Sequence, residues 1–64
     1  MWVKVKSASN LIMAEMWKEF FEGEGIPTRI LPDSGTLEMR EQVPYNIYVS
    51  QERVHVIEEV LRKL

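Results

Sequence analysis

The apolar side chains change their spacing within the first two dozen residues, and that change limits the possible folds more than any other feature. Val3 and Val5 alternate with Trp2, Lys4 and Lys6, a period of two that turns one side of an extended strand inward. From Leu11 to Glu24 the period lengthens. At about 100° per residue Met13, Ala14, Trp17, Phe20 and Phe21 gather on one side, with Glu15, Lys18, Glu19 and Glu22 on the other. Between the two patterns, Ser7-Ala8-Ser9-Asn10 is a helix-start signal, with Ser9 or Asn10 as N-cap. Gly23 and Gly25 bracket the far end, and Gly25 suits the left-handed position just past a helix.

Ile26-Pro27-Thr28-Arg29-Ile30-Leu31 then reads as a second strand, with Pro27 at its start because Pro has no N–H to give a ladder. Pro32-Asp33-Ser34-Gly35 is a turn signal. A third strand, Tyr45-Asn46-Ile47-Tyr48-Val49, follows Pro44. Ser50 stands as the cap of a last helix with Val54, Ile57, Val60, Leu61 and Leu64 on one face. The order β-α-β-β-α predicts parallel first and second strands joined by a right-handed crossover. The third strand returns antiparallel between them, as in a split βαβ unit. The expected fold is α+β and ferredoxin-like but one strand short: a three-stranded sheet in the order 2-3-1 with both helices on one face. That face buries Val3, Val5, Ile26, Thr28, Ile30, Tyr45, Ile47 and Val49 against the two helices, and Trp17 is expected to be buried.

Composition narrows the function. A chain of 64 residues has one core and no room for a second domain, since a domain this short buries only about 60% of its unfolded surface. Without Cys there is neither a disulfide framework nor a thiolate metal site, and the expected compartment is the cytoplasm. A net charge of −2 argues against a broadly basic surface for duplex nucleic acid. No charge-free run approaches the roughly 18 residues of a spanning helix, and the alternating first residues predict no signal peptide.

At these positions the chain resembles a family of small bacterial signal-transducing proteins of unknown function, grouped with the PII-like nitrogen-regulatory folds. The likeness is carried by Asn10, Ala14-Glu15, Gly25-Ile26-Pro27, and Tyr48-Val49 leading into the last helix. Leu11 stands where the family has Pro, and Met13 where it has an acidic residue. The resemblance implies a PII-like fold, a regulatory role, and partner contacts made by the loop between the second and third strands.

Reactive constellations are sparse. His55 is the only imidazole; it falls on the polar face of the last helix among Glu52, Glu58 and Glu59, where a solvated side chain is expected. Glu15, Glu19 and Glu22 share a stripe with Lys18, a solvated helix face rather than a cation site. Gly23-Glu24-Gly25 ends a helix, whereas a phosphate loop opens one. No catalytic residue, metal ligand set or cofactor is expected, and the chain reads as no enzyme.

The sheet side turned away from the helices is more informative. It is expected to carry Trp2, Lys4 and Lys6 on the first strand, Arg29 and Leu31 on the second, and Asn46 and Tyr48 on the third. Two aromatics among three cations in an acidic chain fit self-association and, as the alternative, a single-stranded nucleic-acid platform; the latter lacks the clustered aromatic motif of the common RNA-binding sheet. The first strand's unpartnered edge can pair with another chain. The 13-residue segment Pro32–Pro44 exceeds the usual hairpin loop of 2–5 residues. Its Pro32, Asp33, Ser34, Gly35, Leu37, Met39 and Arg40 are expected to meet a protein partner or small ligand. The sequence therefore predicts a single domain over 1–64: a regulatory or interaction module, homo-oligomeric, with nucleic acid a weaker expectation and no membrane.

Overall fold

The computed structural model describes residues 1–33 and 43–63. Three strands and two helices follow in order: β1 (Trp2–Ala8), α1 (Leu11–Gly23), β2 (Thr28–Pro32), β3 (Tyr45–Ser50), a single 3-10 turn (Gln51–Arg53) and α2 (Val54–Arg62). The sheet order is β1-β3-β2, with both outer strands antiparallel to β3. The fold is α+β, a small ferredoxin-like arrangement in which the crossover helix α1 returns β2 parallel to β1.

Both ends of α1 are fixed by local chemistry. Asn10 is the N-cap, its Oδ1 accepting the Met13 N–H at 2.8 Å. At the other end the Ile26 N–H donates to the Phe21 carbonyl and the Gly25 N–H to the Glu22 carbonyl, both at 3.0 Å. This paired termination needs a left-handed residue, and Gly25 supplies it at φ 82°. It also swings Ile26 onto Phe21, and both are almost wholly buried.

The core joins that turn to the sheet and to both helices. Ala14 and Phe21 of α1, Tyr45, Ile47 and Val49 of β3, and Ile57 and Val60 of α2 form one cluster. Central β3 contributes most because the outer strands flank it on both sides. Each large apolar side chain so buried stabilises the fold by about 1.5–3 kcal/mol. Beyond β2 the hairpin ladder continues, the Asp33 N–H donating to the Pro44 carbonyl at 2.9 Å.

Several expectations need correction. Pro27 and Ile26 precede β2 rather than opening it, and Thr28 turns its hydroxyl back to the Ile26 carbonyl at 2.9 Å. Ser50 closes β3 and precedes the 3-10 turn without a side-chain capping bond; α2 starts only at Val54. Trp17 is half-buried and Met13 exposed. The largest correction concerns Lys6. Lys4 pairs with Tyr48 but Lys6 with Ile47, so β1 carries a bulge at Val5. One extra residue reverses the alternation. Lys6 therefore lies on the helix side of the sheet, its ammonium 4.4 Å from the centre of the Trp17 ring.

Candidate functional site

Residues paired directly across strands share a sheet face, so the register assigns the side turned away from the helices. One row runs Lys4–Tyr48–Arg29 across all three strands, and a second runs Ser7–Asn46–Leu31. Trp2 stands beside Lys4 on β1, opposite Ser50. The small Ser50 leaves room above β3, and Arg29 reaches across it to place its guanidinium 4.7 Å from the centre of the Trp2 ring. The cation–π pair is exposed on both sides, with 40% of Trp2 accessible, and is worth about 0.5–1 kcal/mol. Leu31 is 46% accessible and extends the apolar part of the face.

The two ends of this face differ. At the Trp2 end Lys4 and Arg29 flank Tyr48, and none of the described side chains on these two rows is acidic. At the other end Asn46 is buried despite its outward register. Its Nδ2 donates to Asp33 Oδ1 at 2.7 Å, and its own Oδ1 is shielded from solvent without a hydrogen-bond partner among the described residues. Trp2, Lys4, Arg29, Leu31 and Tyr48 are thus brought together as the sequence predicts, and Lys6 is not. Of the expected loop residues, Pro32 belongs to β2 and Asp33 to the adjoining turn; Ser34, Gly35, Leu37, Met39 and Arg40 lie outside the described residues.

A second surface escapes the sequence reading. The apolar residues of α1 cover an arc of roughly 200° from Ile12 through Met16, Phe20, Met13 and Trp17 to Ala14, whereas a stripe of about 100° suffices to face a core. The excess is left outside. Ile12 is 63%, Met16 57% and Met13 41% accessible. Met13, Met16, Trp17 and Phe20 line an open hollow of ≈ 260 Å³. Trp17 stacks edge-on against Phe20 at 6.0 Å between ring centres. The width of the arc was the available signal; period alone gives the direction of a helix face and not how much of it the core can cover.

The remaining polar groups are arranged as solvated surface. His55 is exposed on α2, and Glu15, Lys18, Glu19 and Glu22 line a shallow polar depression on α1. Among the described residues no three His, Cys, Asp or Glu side chains gather as a metal set, and no helix is long and apolar enough to cross a membrane. The residues that carry the PII-like resemblance include structural ones: Asn10 caps α1, Ala14 is buried, and Gly25 ends the helix. Comparison with protein-family models, with curated proteins and with solved structures finds no match.

Proposed function

We propose that this protein is a small regulatory interaction module that binds an acidic segment of a partner protein on the side of its sheet turned away from the helices. The observation that carries the reading is the Lys4–Tyr48–Arg29 row with Trp2 beside it, a cationic and aromatic strip in a chain of net charge −2. Charge complementarity across such a strip steers an acidic partner and fixes its register. Tyr48, Trp2 and Leu31 offer apolar contact next to the charges, the composition favoured at interface centres. The regulatory part of the proposal follows the PII-like resemblance, which implies signalling through bound partners.

Single-stranded nucleic acid is the weaker reading. A base needs an open aromatic face on which to stack, and the Arg29 guanidinium lies over one face of Trp2. The loss of Lys6 to the other side leaves two cations on this strip instead of three.

Amide mapping of the 15N-labelled protein separates the readings. A glutamate-rich peptide at low salt is expected to shift the signals of Trp2, Lys4, Arg29 and Tyr48, with affinity falling as salt screens the charges. Lys4→Glu together with Arg29→Glu abolishes that response. Shifts confined to the helices, or none at low salt, contradict the proposal, and a stronger response to a short single-stranded oligonucleotide transfers the face to nucleic acid.

A further inference from the structure

The apolar overhang of α1 has an occupant written into its own borders. From the charges on either side of it we infer that this face is covered by the same face of a second copy, forming a two-fold dimer with the two α1 helices side by side and roughly parallel. The inference rests on a different surface from the proposed partner site and stands or falls separately.

The patch consists of Ile12, Met13, Met16, Trp17 and Phe20, and its borders carry opposite charge. On the side toward the sheet is the Lys6 ammonium, held against Trp17 at 4.4 Å. On the side away from the sheet is Glu19, exposed and next to Ile12 around the helix. Glu19 lies two positions after Trp17, so about 3 Å from it along the helix. A two-fold axis parallel to α1 exchanges the two borders while keeping the height. Lys6 of each copy then meets Glu19 of the other, one pair on each side of a closed apolar centre. An axis perpendicular to α1 brings Lys6 to Lys6 and glutamate to glutamate, and is disfavoured for that reason.

The alternative route to a dimer, pairing of two β1 edges, is obstructed. The bulge at Val5 interrupts the strand, and Lys4 and Lys6 place like charges along it; bulges and edge lysines both guard against such pairing. Association through α1 needs no free ladder. A standard interface takes roughly 800 Å² from each partner, about a sixth of the 4573 Å² this chain exposes. Five apolar side chains ringed by two ion pairs per dimer make a small interface of this kind. Methionine suits the role, since its unbranched thioether adapts to the opposing surface. The dimer leaves the proposed partner face of each copy outside, giving a bivalent module whose avidity exceeds the affinity of either face.

Sedimentation equilibrium of the full chain from micromolar to millimolar concentration tests this. The wild type is expected to dimerise. Met16→Asp, at a side chain 57% accessible, is expected to stay folded by circular dichroism and become monomeric. Lys6→Glu and Glu19→Lys each weaken the dimer by about tenfold, the effect of roughly 1.4 kcal/mol, and the double variant recovers most of the loss. A wild type that remains monomeric at millimolar concentration overturns the inference, and a response of its Met16 methyl signal to an added amphipathic peptide then assigns the patch to a foreign helix. A dimer indifferent to Met16→Asp, or single charge reversals that the double variant fails to rescue, overturns it as well.

Discussion

Two glycines separated by one residue at the end of α1 should respond to the same substitution with opposite sign. Gly23 is the last residue of the helix, and a Cβ there meets nothing within 4 Å. Gly23→Ala therefore adds helix propensity and removes freedom from the unfolded chain, a gain of about 0.5–1 kcal/mol. A Cβ at Gly25 also meets nothing within 4 Å, but the backbone there has φ +82°. An L-residue in that left-handed conformation costs about 1–2 kcal/mol, offset in part by the same ~0.4–1 kcal/mol from the unfolded chain. Gly25→Ala should thus lose about 1 kcal/mol. Space is equal at both sites, so dihedral angle alone decides the sign. Urea unfolding followed by circular dichroism, at one fixed protein concentration because association would add its own stability, reads the difference. In thermal scans each kcal/mol corresponds to about 4–8 °C for a domain of this size. If both variants stabilise, or both leave the midpoint unchanged, Gly25 does not hold the left-handed turn and the path of the chain from α1 into β2 is wrong.

Other substitutions test neighbouring steps. Asn10→Ala removes the cap on the Met13 N–H and should cost about 1 kcal/mol, with Asn10→Asp retaining most of it in the same unfolding assay. Lys6→Gln should lose no more than about 1 kcal/mol while shifting Trp17 emission in a Trp2→Phe background, and Lys4→Gln should leave that emission alone. Arg29→Ala uncovers the Trp2 ring and should raise its quenching by acrylamide in a Trp17→Phe background. Phe21→Ala, at a wholly buried ring, should cost about 3–5 kcal/mol, enough to leave a domain this small largely unfolded by circular dichroism.

The parts of the fold that the sequence discloses are those set by local chemistry and by the handedness of connections. The period change between Val5 and Leu11, the Asn10 cap and the Gly25 stop define β1 and α1, and the right-handed crossover leaves the centre of the sheet to β3. Lys6 lies on the opposite face from that expected because parity along a strand holds only until a bulge. The run Val3-Lys4-Val5-Lys6 alternates perfectly on paper, and the extra residue becomes visible only in the pairing of Lys4 with Tyr48 and Lys6 with Ile47. The outward half of α1 is legible in the width of its apolar arc, and Ile12, Met16 and Met13 are exposed there. Asn46 is outward by register and still buried, an outcome of tertiary packing that no local pattern encodes.

α1 and α2 share one side of the sheet, with Lys6 on that side and Trp2, Lys4, Arg29 and Tyr48 on the other. Nuclear Overhauser contacts from the two indole rings test this most directly. The Trp17 ring should see the Lys6 side chain, and the Trp2 ring that of Arg29, in keeping with separations of 4.4 and 4.7 Å. Contacts from Trp17 to Lys4 or Tyr48, or from any α1 or α2 side chain to Trp2, would contradict it.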